Sequence, residues 1–407
     1  MIIITLVVLA FITVFAYMKY RTVMCPAVLH NVFWIFSLIG LLVLPESAYM
    51  QIRTFLLISV GAVFFQNGFS IAQRPVISRC REYGPTAAIN PNTTRIIVYL
   101  MFLPFAIFCF QYIQFIRANS FSSWYTMLIF AHNEAVNSSL LAYMSRMIQI
   151  SCFCLLLLYW KTDTSERKSA KTSISISFVM AVMCVIAMPT RNSMLFFLLP
   201  LMFIYIITHK TARKKTALIF LLVFLIFMVY FFLISRQKYA YLYSSGNAFA
   251  VIKSEVINYL SGSILAFDKT MTSHAYMGMG SYSFRFFVAL FDKIAGTNNA
   301  VSIVNEFTQI GTVTTNVYTF YDFYLRDFGV LYALIAQFIV GCLHGTAYKK
   351  MKHDNLYGTV FYALLMYPLM MQFFQDQYLS LLSTWIQAIV IVRLVLGISC
   401  SNSQLAG

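Results

Sequence analysis

The feature that most constrains this chain is a series of apolar runs, 16 to 22 residues each, recurring along its length. A helix of that length crosses a hydrocarbon core about 30 Å thick, and in lipid a helix satisfies its backbone N–H and C=O groups internally. Eleven spans are predicted, at 1–18, 30–45, 54–72, 96–116, 139–160, 172–188, 193–208, 216–235, 328–348, 357–374 and 378–398. The first run lacks a basic start and an A-x-A-like cleavage site, and other spans follow it, so it reads as a span and not as a cleavable signal. The expected fold class is an all-α polytopic integral membrane protein of about eleven transmembrane helices.

Of 407 residues, 29 are Lys or Arg and 13 are Asp or Glu, a formal charge of +16. That balance would suit nucleic acid, but the cations form no single stripe with interleaved aromatics; they collect in short segments between apolar runs, and no nucleic-acid partner is expected. Alternate connections carry Lys19 and Arg21; Arg74, Arg79 and Arg81; Lys161, Arg167, Lys168 and Lys171; Lys210, Arg213, Lys214 and Lys215; and Lys349, Lys350 and Lys352. The opposite short connections hold little more than Arg53, Arg117, Arg146 and Arg191. By the positive-inside rule the N-terminus lies outside and the C-terminus inside. Nine of the 13 carboxylates then face outward, all but Glu82, Asp163, Glu166 and Asp354.

The spans divide the chain into 1–235, with the first eight helices; 236–327, a long external loop; and 328–407, with the last three helices and a cytoplasmic tail. The loop holds no cysteine, so it folds without disulfides, and no Cys/His spacing resembles a zinc site. Two of its segments have helical period. From Asn247, a plausible N-cap, Phe249, Ile252, Val256, Tyr259 and Leu260 recur at steps of three or four. From Ser283 to Ala295, Phe284, Phe287, Leu290, Phe291 and Ile294 make one apolar side, Arg285, Ala289 and Asp292 share the other, and Gly296 suits the position after the helix. Both read as interfacial helices. The stretch Thr297–Thr319 is rich in Thr and Asn, which suits either an ordinary loop or hydrogen bonds to hydroxyl-rich ligands.

Three short stretches carry a family resemblance: Pro189–Thr190–Arg191–Asn192–Ser193; Tyr259–Leu260–Ser261–Gly262–Ser263 followed by Ala266–Phe267–Asp268; and Asn316–Val317–Tyr318–Thr319 leading through Tyr321–Asp322 to Asp327–Phe328–Gly329. With many spans and one long external loop, the chain resembles the Wzy-type O-antigen (oligosaccharide repeat-unit) polymerases of lipopolysaccharide biosynthesis. Arg285 and Gly296, eleven positions apart, fit a further pattern of such families. The resemblance implies a GT-C-like glycosyltransferase of the bacterial inner membrane, active on the periplasmic face. It would transfer a growing glycan from undecaprenyl diphosphate to the next lipid-linked repeat unit, with no cofactor. The partners implied are undecaprenyl-diphosphate-linked glycans, membrane lipids, a chain-length regulator and a flippase. An O-antigen ligase or a lipid-linked oligosaccharide flippase is the alternative, although nearly charge-free spans and the absence of an internal repeat argue against alternating access.

Transfer from a polyprenyl diphosphate requires charge stabilisation on the departing diphosphate and removal of a proton from the attacking hydroxyl. The chain has no Asp-x-Asp pair, so no metal site is expected and arginine takes that role, its planar fork binding phosphate oxygens bidentately. The diphosphate-binding candidates are Arg191, Arg236, Arg285 and Arg326. Their plainer readings are headgroup contact for Arg191, a solvated charge near Asp292 for Arg285, an interfacial anchor for Arg236, and for Arg326 an i, i+4 ion pair with Asp322. For the proton the candidates are Asp268, His274 and Asp322, with Glu306, Asp327 and Asp376 also in reach. Asp268 beside Lys269 otherwise reads as a solvated charge. Tyr239, Tyr241 and Tyr243 would stack on sugars or belong to an aromatic belt.

Overall fold

In the computed structural model the described residues are 1–74, 90–118, 139–162, 164–188, 190–238, 248–272, 278–302, 305–311 and 313–404. They form thirteen α-helices, numbered here in chain order. Those at the expected spans are α1 (Ile2–Tyr20), α2 (Pro26–Leu41), α3 (Ile52–Ala72), α4 (Pro91–Ala118), α5 (Ser139–Lys161), α6 (Thr164–Ala187), α7 (Arg191–Thr208), α8 (Arg213–Lys238), α11 (Tyr321–Lys352), α12 (Leu356–Met371) and α13 (Leu382–Gln404). Nine of the eleven are long and apolar enough to cross a membrane; α2 and α12 are apolar but shorter. The remaining two, α9 (Ala248–Thr272) and α10 (Arg285–Ala295), belong to the long loop. The loop also holds what an all-α reading omits, a small antiparallel sheet of β1 (Thr308–Ile310) and β2 (Val313–Thr315), with Thr308 opposite Thr315 and Ile310 opposite Val313.

Contacts group the chain into two compact units that cut across the linear division of spans and loop. The first comprises 1–80, 247–349 and 368–383; the second comprises 81–246, 350–367 and 384–407.

In the first unit, α1 packs on α2 and α3, and α9 packs on α2, α3 and β2. Because lipid tails are as apolar as leucine, helices in a membrane associate through close packing and interhelical hydrogen bonds. Both devices are present. Gly341 and Gly345, one turn apart on α11, lie against the backbone of α3 at Phe65 and Phe69, where any side chain would collide. Beside them runs a buried polar chain: Gln337 Nε2 lies 2.7 Å from His30 Nε2 and donates to Gln372 Oε1 at 2.9 Å, Gln372 donates to the Tyr378 hydroxyl at 3.2 Å, and that hydroxyl is 2.8 Å from His344 Nε2. His30 stacks on Phe65 with ring centroids 4.2 Å apart.

The two loop helices differ from each other. The segment expected as an interfacial helix up to Leu260 continues as α9 to Thr272, and the added part is buried over Ser261–Asp268. Its small residues explain this: the Ser261 hydroxyl donates to the Ser37 carbonyl at 2.9 Å, Ser37 donates to the Leu260 carbonyl, and Gly262 makes room for Val313 and Thr315 of the sheet. By contrast α10 does expose an apolar side, and Gly296 closes it with φ of 69°. The structure also breaks α11. Gly329 adopts φ 80° and ψ −169°, separating a short segment Tyr321–Phe328 from the long helix that follows.

The unit has a charge axis. At the end where α3 and α11 begin lie Asp268, Asp322, Asp327 and Asp376; at the other end Lys19 donates to Ser70 and Lys349 to the Arg74 carbonyl.

In the second unit, α4, α5 and α6 pack mutually, and α7 joins α5 to α8. Rings fill the interfaces: Phe153 meets Phe197, and Phe203 meets Tyr362 edge-on at 5.8 Å. Arg146, read as part of an outer connection, lies inside α5 with its guanidinium 3.8 Å above the Phe196 ring. Thr190 caps α7 by accepting from the Ser193 N–H at 2.9 Å. Lys161 meets Asp354 at 2.5 Å.

The Gly329 conformation is one that only glycine adopts without strain. Gly329→Ala is therefore expected to destabilise the protein by about 1–3 kcal/mol, read as a lower unfolding temperature in detergent, whereas an alanine at Ile339, an exposed position on the same helix, changes it far less.

Candidate functional site

The loop's carboxylates do not behave alike. Asp268, a candidate for the proton whose plainer reading is a solvated charge, is buried: its Oδ1 accepts from the Gln51 N–H at 3.0 Å and from the Thr54 hydroxyl, at the start of α3. An anion is favoured there by the free N–H groups of the helix end. Burial pushes its carboxyl up, opposed by the bonds from Thr54 and Gln51. Asp327 accepts from the N–H groups of Tyr282 at 3.2 Å and Ser283 at 2.7 Å, and from the Ser283 hydroxyl at 2.5 Å. Asp292 accepts from Thr297 Oγ1 at 2.5 Å, the N–H groups of Asn299 and Ala300 at 2.7 Å each, and Asn299 Nδ2 at 3.1 Å. Asp376 accepts from the N–H groups of Tyr378 at 3.1 Å and Ser380 at 2.8 Å and from the Tyr324 hydroxyl at 3.2 Å; burial raises its carboxyl against these bonds. All four are fasteners of the backbone.

A fifth, Asp322, is different. It is 1% exposed and its Oδ2 lies 2.9 Å from Arg326 Nε, one helical turn away as the i, i+4 spacing predicts. The guanidinium reaches past its partner: its carbon lies 5.0 Å from the Tyr318 ring centre and 5.4 Å from that of Tyr282, and Nη2 donates to Thr270 Oγ1 at 3.4 Å. These groups wall a cavity of about 320 Å³, completed by Ala266, Lys269, Glu306, Phe307 and Thr308. Lys269, exposed, donates to Thr308 Oγ1 at 2.8 Å, which ties α9 to β1 across the floor. The Tyr318 hydroxyl donates to the Glu306 carbonyl at 3.4 Å, and burial pushes its phenol up, opposed by the Arg326 charge.

No protein-family model, curated protein or solved structure matches the chain.

Of the residues singled out from the sequence, Arg326 and Glu306 therefore line one cavity, and Asp322 stands behind Arg326 as its ion-pair partner. Asp268 lies one residue from the cavity-lining Lys269 but turns to α3. Arg285 is on α10, where its Nε donates to the Val301 carbonyl at 2.6 Å. Arg191 opens α7 in the second unit, its guanidinium 3.9 Å over the Phe231 ring. His274, Tyr239, Tyr241, Tyr243 and the side chain of Arg236 lie outside the described residues. Among the described residues no cluster of three His, Cys, Asp or Glu could hold a metal.

The sequence reading did not single out Lys269, Thr270, Tyr282, Phe307 or Thr308 as site residues. The signal for Thr308 was present: Gly311 between two short β-branched runs is a hairpin pattern, and recognising it places Thr308 on a strand. Chemically the cavity offers two cations for an anion, a carboxylate within reach of a proton, hydroxyls for hydrogen bonding, and tyrosine faces of the kind that pack on sugar rings.

Two outcomes follow from this geometry. Arg326→Ala leaves a buried carboxylate without its counter-charge and is expected to cost roughly 3–5 kcal/mol. Adding Asp322→Asn recovers part of it, as a double-mutant cycle of thermal unfolding reads. The second concerns acid. The bonds from Thr297, then those from Ala300 and Asn299, hold the Asp292 carboxyl below the ordinary aspartate range. Its stabilisation is fully present above that range and is lost as pH falls through the depressed value. Amide protection at Asn299 and Ala300, corrected for intrinsic exchange, should drop on acidification below the ordinary aspartate range, and Asp292→Ala should remove both the protection and its pH dependence.

Proposed function

We propose that the chain is a membrane glycosyltransferase of the O-antigen polymerase kind, joining undecaprenyl-diphosphate-linked repeat units on the periplasmic face of the bacterial inner membrane. The observation that supports this best is the cavity of Lys269, Arg326, Glu306, Tyr282 and Tyr318, at the carboxylate-rich end of a membrane-spanning unit and opposite its Lys19 and Lys349. By the positive-inside rule that end faces outward, where a lipid-linked glycan would arrive with its diphosphate at headgroup depth.

In this reading the anomeric carbon's bond to the diphosphate oxygen breaks as its bond to the acceptor hydroxyl forms. Arg326 and Lys269 face the oxygens on which negative charge grows, and Glu306 takes the hydroxyl proton. Charge-assisted bonds that strengthen as the leaving group departs lower the barrier rather than merely tightening binding. Asp322 holds the Arg326 fork in place. Tyr282 and Tyr318 supply ring faces for sugars. Arg285, Arg191 and Arg236 enter as further cations for the carrier's diphosphate, with participation that single substitutions would read.

Deleting the gene in its host should leave a single repeat unit on the lipid core in place of a ladder. Complementation with Glu306→Gln, expressed at the normal level, should lower the rate of chain growth by about 10²-fold or more, and Lys269→Ala should lower it less. A full ladder from both variants overturns the assignment of the cavity. Complete loss of repeats on deletion points instead to a flippase or a ligase.

A further inference from the structure

Helix α10 is amphipathic in the sense opposite to that of a water-facing surface helix. Its outward side is Phe284, Phe287, Leu290, Phe291 and Ile294, with Phe291 63% and Ile294 79% exposed. On its other side Asp292 is buried in bonds to 297–300 and Arg285 is held by Val301, with Phe286, Val288 and Ala289 half-buried beside them. A helix that faces water turns its charges outward and its phenylalanines in. Here the one fully buried side chain of the helix is Asp292, while four of its large apolar side chains, and Phe284 just before it, are exposed, an arrangement that suits an apolar medium on that side.

The height of this helix is fixed by the chain itself. Asp327 accepts from Tyr282 and Ser283 just before α10, and the Gly278 N–H donates to the Arg326 carbonyl at 3.0 Å. Arg326 and Asp327 stand immediately before Gly329, beyond which α11 runs as a candidate span with Val330 and Leu331 exposed. Phe284 and Phe328 both approach Gly280, so the apolar side of α10 continues into the outward side of α11. The outward apolar area of five such side chains is on the order of 500 Å², short of the roughly 800 Å² per partner in a stable protein complex, and suited to partition into lipid.

We propose that α10 lies in the plane of the membrane with its apolar side among the lipids, an anchor that holds the neighbouring cavity at headgroup depth. The link to the cavity is direct, since Tyr282 and Arg326, which line it, belong to the same staple as the start of α10. A ligand carried by a lipid would then reach the cavity without leaving the bilayer surface. The anchor does not depend on the chemistry that the cavity performs.

The test uses the full chain without its native cysteines, in vesicles of phosphatidylcholine with about a quarter phosphatidylglycerol. A bimane label is placed at Phe287→Cys, Phe291→Cys, Ile294→Cys, Lys293→Cys or Asn299→Cys, and only variants eluting as a single species on gel filtration are used. Labels at 287, 291 and 294 should be quenched several-fold more by a nitroxide carried near the lipid headgroup than by aqueous iodide, and those at 293 and 299 the reverse. Iodide reaching 291 and 294 as readily as 299 overturns the proposal, as does protection from both quenchers, which means a protein covers the face. Should the cysteine-free chain fail to fold, a benzophenone amino acid at Phe291 in the otherwise native chain decides. Adducts to phospholipid support the anchor; adducts to protein alone overturn it.

Discussion

A buried carboxylate accepting from backbone N–H groups is the interaction on which the polar end of this molecule depends. Asp327 joins the start of α11 to the turn before α10; Asp292 folds the following loop back onto α10; Asp268 fixes the end of α9 to the start of α3; Asp376 closes the turn after α12 and reaches Tyr324. No cysteine falls in the long loop, and loops are held by whatever satisfies their backbone groups. Ionised acceptors make bonds about twice as strong as neutral ones, and partial exclusion of water at these sites preserves that strength.

This division of labour frees one acid–base pair for the cavity. Asp322 is too buried to be left alone, and Arg326 is its counter-charge, so the guanidinium is held in place while still facing the cavity between tyrosine rings. A fork already in place loses little rotamer freedom when it meets an anion. Lys269 and Glu306, both exposed, line the cavity with that fixed group.

The membrane-spanning part follows another rule. With no hydrophobic force between helices in lipid, α3 and α11 meet through glycines, and α2, α11 and the turn after α12 meet through His30, Gln337, Gln372, Tyr378 and His344. Such polar side chains find partners inside the bundle because lipid offers none.

Length, apolarity and helical period are local properties, and the sequence alone determined what depends on them: the place of the eleven apolar helices, nine of them long enough to cross a membrane, the amphipathic α10 with its closing Gly296, and the Asp322–Arg326 spacing. The tertiary structure decided what depends on residues far apart in the chain. That α9 is buried follows from Ser261 meeting Ser37; that Asp268 is a fastener follows from Gln51 and Thr54, more than two hundred positions away. The cavity draws its walls from α9, the turn before α10, β1 and the start of α11, and a carboxylate in a sequence does not reveal whether a backbone N–H or a ligand will stand opposite it. Periodicity reports which face of a helix is apolar; only the packed chain reports what lies against that face.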